Sequence, residues 1–398
     1  MSKSKTLLNS AIVLYFVICL EILIMISPFA GFFYSAFNPV LLGLTKYPET
    51  RWLSSFFFTH LLVPPNEFLK FVRVMGSVLF VAGIVVFLIC ALQVYASKFL
   101  KTGPALKGLY YHIRHPQYLS LAVAGIGLAI LWPRFLVVLL WILMVFVYYV
   151  LAKDEERRMK SQHAEVYAAY MKNTGMFLPK TLEEALNFST AGGKATAFVL
   201  VGGLAIGGAF LLRYYTVHHL PFWADSNVVA VAVVPGDQAM MKFRMGDILQ
   251  LPEVKSRLDD HSSYLVYFLP PDYIMQGLMG DTGGDWQLYK RHHSMSMITD
   301  FVIHPFGHLA GGHHGAAAGG GNHSGHNMAA GMSATMVRRL IFVKVSSGSA
   351  SNPSDVFAIN TVRTPDFMVD LNVHELRMVE EKNLPVQTAW GTVPTPVF

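Results

Sequence analysis

Long apolar segments constrain this chain more than any other feature of its sequence. They cover residues 7–33, 71–96, 119–132, 135–152 and 195–214. A helix needs roughly 17 to 25 apolar residues to cross a bilayer, so four segments are long enough and 119–132 is short. Pro133 and Arg134 directly follow the short segment. This arrangement predicts a tight hairpin of two short helices within a bundle of about five transmembrane helices.

The composition supports a membrane protein. Hydrophobic residues make up 53% of the 398-residue chain and charged residues 14%, whereas soluble domains carry about 25% charged residues. Both cysteines, Cys19 and Cys90, lie within apolar segments, which excludes a disulfide framework and a cysteine-based zinc site. No basic stripe with interleaved aromatic residues is present, so nucleic acid is excluded as a partner.

The distribution of basic residues predicts an orientation. Up to Tyr215 the chain has 19 Lys and Arg against 9 Asp and Glu, and beyond it 12 against 16. Basic residues precede the first apolar segment and also follow the second and the fourth. Because cytoplasmic loops are enriched in Lys and Arg, these positions predict a cytoplasmic N-terminus and an extracytoplasmic C-terminal part. We expect the chain in a bacterial inner (plasma) membrane, in contact with membrane lipids.

The pattern changes after residue 215. Short runs typical of strands, separated by Gly, Pro and Asp, cover residues 228–234, 247–251, 264–269, 287–290, 340–345 and 356–360. Their alternation and spacing are typical of a mostly antiparallel sheet. The predicted fold is therefore a membrane all-α bundle in residues 1–215, followed by a small mostly-β extracytoplasmic domain in residues 216–398.

The polar residues around the predicted hairpin are the strongest indication of chemistry. Arg114, His115 and Pro116 precede the short apolar helix, and Glu155 and Glu156 follow the next one. A hairpin between them brings both clusters to the same membrane face. Cationic, imidazole and carboxylate groups beside an apolar wall suit a charged, amphiphilic cofactor together with a lipid-like substrate.

Residues 108–179 resemble the membrane methyltransferases that include isoprenylcysteine carboxyl methyltransferases and phospholipid methyltransferases. The shared pattern is Gly-x-Tyr, Arg-His-Pro-x-Tyr, a helical hairpin, Glu-Glu and a paired-tyrosine helix that ends near a proline; here the tyrosines are Tyr167 and Tyr170. The pattern departs from the family at Leu119-Ser120, where a glycine is frequent, and at Gln162-His163, where the family has Phe-Gly. Ser120 would then narrow the cofactor's approach to the backbone.

The resemblance implies a methyltransferase that uses S-adenosylmethionine and a lipid-like methyl acceptor. Glu155 or Glu156 would hold the ammonium group of the cofactor, and Arg114 would also orient the acceptor. The implied catalytic residues are Arg114 and Glu156. The implied cofactor-binding residues are Tyr110, Arg114, His115, Tyr118, Glu155 and Glu156.

A second resemblance concerns the C-terminal part. Residues 233–249 are similar to the strand and turn around the nucleophile of type I signal peptidases, and Tyr289-Lys290-Arg291 is similar to the strand that bears their general-base lysine. The nucleophilic serine is absent, because Gln238-Ala239 stands in its place. Without a serine no acyl intermediate forms. The resemblance therefore implies an inactive β module, and the alternative is a simple turn before a strand.

A histidine-rich insertion at residues 304–336 lies within the predicted β domain. Imidazole and thioether groups in this Gly/Ala-rich background favour copper or another transition metal, although their spacing matches no zinc site of fixed geometry. The alternative is a solvated low-complexity segment. The candidate metal ligands are His304, His308, His313, His314, His323 and His326.

Two functions compete with methyl transfer. A non-catalytic accessory or assembly subunit would keep the bundle as a scaffold and contact a larger membrane protein complex through its extracytoplasmic domain. A metal-handling protein would deliver copper through the histidine-rich insertion.

Overall fold

The computed structural model describes residues 43–44, 46–59, 62–100, 106–186, 190–259, 261–271, 336–346, 353–359 and 361–384. Within these ranges the chain forms two compact units. One consists of residues 70–212, and the other of residues 43–69 together with 213–384. The first apolar segment and the predicted strand at residues 287–290 lie outside the described residues, so both stay predictions.

Helices account for most of the described residues before the sheet. Their bounds are α1 Pro48–Ser54, α2 Glu67–Phe99, α3 Pro116–Leu131, α4 Phe135–Gln162, α5 Ala164–Asn173, α6 Lys180–Ala185 and α7 Ala191–His218, with a 3-10 turn at Gly108–Tyr111. Three of them are long and apolar enough to cross a membrane: α2 (over Glu67–Ser97), α4 and α7. The α3 helix is apolar but shorter.

Helices α3 and α4 are the two arms of the predicted hairpin. Trp132 ends α3, and α4 begins after Arg134. The indole N–H of Trp141 on α4 donates a hydrogen bond to the carbonyl of Ala122 on α3 over 2.8 Å. The α4 helix continues to Gln162, past the predicted end at residue 152. Its polar extension carries the Glu-Glu pair.

Helix α2 packs closely on α3 through small residues. A Cβ atom on Gly83 would lie 2.6 Å from the carbonyl oxygen of Ser120, and one on Gly127 would overlap the amide nitrogen of Phe80. Side chains at either glycine would force the backbones apart. Small residues permit this close approach of membrane helices, which fixes the first turn of α3 relative to α2.

The second unit contains one six-stranded sheet. Its strands are β1 Phe222–Asp225, β2 Val228–Ala232, β3 Ser263–Leu269, β4 Val337–Val345, β5 Arg363–Asn372 and β6 Arg377–Asn383, and they are adjacent in chain order. All neighbours pair antiparallel except β2 and β3, which are parallel. The prediction of a mostly-β C-terminal part is confirmed.

One sheet face packs on helix α8 (Gln238–Leu249), which is followed by α9 (Pro252–Lys255). Alternate strand residues such as Val228, Tyr264 and Phe342 lie in this core. Every residue of β2 and β3 is buried. The sequences of such fully buried strands are continuous apolar runs rather than alternating patterns of apolar and polar residues.

Two strand predictions are wrong. Residues 247–251 belong to the end of α8 and the turn after it, because Met241, Met245 and Ile248 recur at helical spacing and are fully buried. A five-residue window is too short to separate that period from alternation. The strand predicted at residues 356–360 is also wrong over its described part, 356–359: helix α10 (Pro353–Val356) ends there, and Phe357 is buried beside it.

Arg213, near the end of α7, connects distant parts of the second unit. Its guanidinium donates hydrogen bonds to the carbonyl oxygens of Phe56 and Phe357, and it is 5% exposed. The amide of Val63 also donates to the carbonyl of Val233 over 3.0 Å. Residues 43–69 are therefore held in the same unit as the sheet.

Candidate functional site

The Arg-His-Pro segment is held by a short backbone pairing. Ile113 and Gly175 form an isolated parallel bridge. The amide of Arg114 donates to the carbonyl of Gly175 over 2.9 Å, and the amide of His115 donates to the carbonyl of Met176 over 3.1 Å. Residues 174–178, which we call the docking loop, thus fix the backbone from which both side chains project.

Two residues outside the predicted set hold the docking loop in shape. Glu183 Oε1 accepts hydrogen bonds from the amides of Met176 (2.6 Å) and Phe177 (3.1 Å). A Cβ on Gly175 would overlap the carbonyl oxygen of Leu178 and would lie 2.9 Å from Glu183 Cδ. Only glycine fits there. The sequence signal is weak: a lone glycine, with a glutamate eight positions later.

Arg114 and Glu156 form a buried ion pair. Arg114 Nε lies 2.7 Å from Glu156 Oε1, and their side chains are 9% and 5% exposed. The guanidinium also donates to the carbonyl oxygen of Thr174. The pair therefore ties the start of α3 to the end of α4 and to the docking loop.

The imidazole of His115 lies between the two glutamates. Its Nδ1 is 3.5 Å from Glu155 Oε2 and its Nε2 is 3.5 Å from Glu156 Oε1. His115 is 2% exposed. Neither ring nitrogen nor Glu155 Oε2 has a hydrogen-bond partner among the described residues. Three buried polar atoms at one place thus retain hydrogen-bonding capacity, which is uncommon in a folded interior.

The carboxylates change the protonation of His115. Burial alone would lower the pKa of the imidazole, but the attraction of the Glu155 and Glu156 carboxylates at 3.5 Å outweighs it, so the pKa is raised above its ordinary value. The cationic form of His115 is therefore favoured in the folded protein.

Aromatic residues surround the cluster. Tyr118 stacks on Tyr148 with ring centroids 5.5 Å apart and lies 5.7 Å from the His115 ring. The hydroxyl of Tyr110 donates to Gln117 Oε1 over 2.6 Å, and that of Tyr170 donates to the carbonyl of Tyr110 over 2.5 Å. Tyr170, one of the paired tyrosines, thus supports the 3-10 turn before the Arg-His-Pro segment.

All six residues predicted for the cofactor site lie in this part of the first unit. Tyr118 stacks on Tyr148, and the other five differ in their hydrogen bonding. Arg114, Glu156 and Tyr110 are engaged in hydrogen bonds with one another or with the surrounding protein. His115 and Glu155 keep polar atoms without hydrogen bonds. Ser120 faces the α2 contact described above, where its carbonyl oxygen lies against Gly83. Glu155 and His115 are therefore the residues most available to a ligand.

The structure describes only part of the other predicted sites. The six histidines proposed as metal ligands, and Lys290, lie outside the described residues. In the ranges that the structure does describe, no group of three or more His, Cys, Asp or Glu is arranged to hold a metal ion. Gln238-Ala239 begins helix α8, so the strand and turn that the peptidase resemblance implied are replaced by a 3-10 turn and a helix.

Comparisons with known proteins add no relative. No family model, no curated protein and no solved structure matches this chain.

Proposed function

We propose that the chain is an integral-membrane methyltransferase that uses S-adenosylmethionine and acts on a lipid-like or membrane-embedded acceptor. The observation that carries the proposal is the cluster of His115, Glu155 and Glu156 with Arg114. Residues from two sequence motifs, at opposite ends of the hairpin, meet there with unsatisfied buried polar atoms.

The donor set fits a cationic, amphiphilic cofactor. Glu155 Oε2 is a buried carboxylate oxygen with no hydrogen bond from any described residue, yet the Glu155 side chain is 34% exposed. It suits the ammonium group of S-adenosylmethionine, since hydrogen bonds between ionised groups are the strong ones. Tyr118 and Phe177 provide flat apolar surfaces beside the imidazole.

Bound S-adenosylmethionine supplies an electrophilic methyl group on its sulfonium. The protein then has to align the acceptor and exclude water rather than perform acid–base chemistry. Arg114 and Glu156, locked together, hold α3, α4 and the docking loop in one geometry. We assign them a positioning role, and Glu155, His115 and Tyr118 the contact with the cofactor.

The proposal extends to location. Helices α2, α4 and α7 are long and apolar enough to cross a membrane, and the basic residues beside the cluster favour the cytoplasmic face of a bacterial inner membrane. The sheet unit would then lie outside the cytoplasm, where it contacts a membrane protein complex or handles copper through residues 304–336.

The test is calorimetric titration of S-adenosylmethionine into the full chain in lipid nanodiscs. The wild-type protein should bind, and Glu155→Gln should bind about 10- to 100-fold more weakly, because a hydrogen bond to a charged group contributes about 1.5–3 kcal/mol. Glu165→Gln is the matched control, since Glu165 is an exposed glutamate on α5. Transfer of labelled methyl groups into extracted lipids then identifies the acceptor.

A scaffold function is the second candidate. It is favoured by the Arg114–Glu156 pair, which is already complete without a ligand. Absence of cofactor binding by the intact protein, together with co-purification at fixed stoichiometry with a membrane complex, would replace the methyltransferase proposal with this one.

A further inference from the structure

The position of His115 imposes a protonation state before any ligand binds. Each ring nitrogen faces a different carboxylate oxygen at 3.5 Å. In a neutral imidazole one nitrogen carries a lone pair, which would point at an anionic oxygen. In the imidazolium both nitrogens carry protons. The geometry therefore favours a charged His115, in agreement with its raised pKa.

The resulting cluster is balanced in charge. Arg114 and His115 contribute two positive charges, and Glu155 and Glu156 two negative charges. Glu156 is 5% exposed and is committed to Arg114, whereas Glu155 is 34% exposed and faces only the imidazole among the cations within 4 Å in the described residues. A cationic ligand would therefore meet Glu155 and compete directly with His115 for the same carboxylate.

We propose that a cationic ligand binds at Glu155 in exchange for the proton of His115. The imidazolium releases the Nδ1 proton to the solvent, and the ligand's ammonium or sulfonium charge takes its place beside Glu155. Neutral His115 keeps its remaining proton on Nε2, the nitrogen that faces Glu156. The charge of the cluster is the same before and after binding. The inference rests on the proposed function for the identity of the ligand.

The groups around the imidazole leave His115 as the source of the proton. Tyr118 and Phe177 contact the ring, and burial raises the pKa of Tyr170 to about 12 and that of Tyr167 further still. Among the described residues, Arg158 interacts electrostatically with Tyr118, Arg114 with Tyr170, and Lys194 with Glu156. Tyr167 and Tyr170 therefore stay neutral near pH 7, and the arriving positive charge of the ligand favours loss of the imidazole proton.

The experiment is titration of S-adenosylmethionine into the full chain in two buffers with different ionisation enthalpies, phosphate and Tris. Proton release makes the observed heat depend on the buffer, with a slope of up to one proton per ligand. Below the pKa of His115, the affinity should rise by up to tenfold per pH unit. His115→Gln should show heat that does not depend on the buffer. His112→Gln, at an exposed histidine on the adjacent turn, should behave as the wild type.

The possible results distinguish failure of the proton exchange from failure of the methyltransferase proposal. Binding by the wild type with the same heat in both buffers and a flat pH profile overturns the proton exchange and leaves the methyltransferase proposal intact. Absence of binding overturns both. If His115→Gln does not bind, the slope of the wild-type affinity against pH decides alone: a rise supports the exchange and a flat line ends it.

Discussion

The two units of this protein both bury charged side chains, but they complete the pairing to different degrees. In the sheet unit, Arg338 contacts both carboxylate oxygens of Asp237 at 2.9 and 3.0 Å, and Arg339 contacts both oxygens of Asp370 at 2.6 and 2.7 Å. All four side chains are at least 90% buried. Such bidentate pairs satisfy both partners.

The cluster in the helical unit is different. Arg114 and Glu156 are paired, but His115 and Glu155 meet at 3.5 Å, and their buried atoms keep unused hydrogen-bonding capacity. An interior polar group left without a partner costs free energy. A fold that retains three such atoms at one place suggests that something else satisfies them. We infer that the complete ion pairs of the sheet unit stabilise its fold, whereas His115 and Glu155 are available to a ligand.

The largest effect should come from breaking a complete pair. Arg338→Met leaves Asp237 buried without its partner, so the free energy of unfolding should fall by about 3–5 kcal/mol. Binding of S-adenosylmethionine should be unchanged where the variant is folded. Chemical denaturation of the full chain, followed by a probe in the sheet unit, measures the change.

The matched control replaces both partners. Arg338→Met combined with Asp237→Leu removes the uncompensated charge, so the double variant should recover most of the lost stability, as apolar replacements of buried pairs commonly do. A loss below about 1 kcal/mol in the single variant would show that the pair is not structural, and the comparison would fail.

A change in the docking loop should lower the free energy of unfolding by a smaller amount. Gly175→Ala places a Cβ against the Leu178 carbonyl and Glu183, and forced overpacking typically costs about 1–3 kcal/mol. Because the loop holds Arg114 and His115, cofactor affinity should fall with it. Gly192→Ala is the control, since a Cβ at that position would meet no described atom within 4 Å. Equal cofactor affinity in both variants would show that the docking loop does not position the cofactor site.

Much of the site follows from the sequence because its residues lie at the ends of one hairpin. Two apolar helices joined by Pro133-Arg134 must return the Glu-Glu pair to the level of Arg114, whatever the detailed packing. The role of each residue does not follow in the same way. Residue spacing alone does not distinguish Glu155 from Glu156. The structure shows that Glu156 is the buried partner of Arg114 and that Glu155 is only partly buried. Gly175 acts by lacking a Cβ, and the carboxylate of Glu183 binds backbone amides, so neither contact leaves a pattern of paired residue types.

The fold is predictable where long periodic segments decide it, as in α2, α4 and α7. Strand predictions fail at residues 247–251 and 356–360, where short apolar runs are buried in helices or turns. The described sheet is mostly antiparallel, as predicted, and the sequence pattern did not identify β2 and β3 as its one parallel pair. The parallel pairing requires a crossover connection, and helix α8 lies within that connection between β2 and β3. The end of α8 has the residue pattern of a strand, so the crossover was not predicted.

A sharper test of the comparison is a variant that damages the site without damaging the fold. Glu155→Gln should change the free energy of unfolding by less than about 1 kcal/mol, since partly exposed ion pairs contribute little, while cofactor affinity falls as proposed above. Thermal unfolding of the ligand-free protein measures the first quantity. A loss above about 3 kcal/mol, the size expected for a broken buried pair, would place Glu155 in the same structural class as Asp237.

The smallest expected effect is a difference in pH dependence between the two units. The pKa of His115 is raised in the folded state above its ordinary value of about 6.5. Its stabilising contribution is therefore complete below about pH 6.5 and is lost as the pH rises through the raised pKa. Unfolding of the helical unit, followed by hydrogen exchange of the docking loop, should become easier over that window, and His115→Gln should abolish the trend. The Arg338–Asp237 pair contains no imidazole, so exchange beside it should stay constant. A trend of the opposite sign in the docking loop would mean that His115 is neutral in the folded protein, and that the open cluster has no proton to exchange.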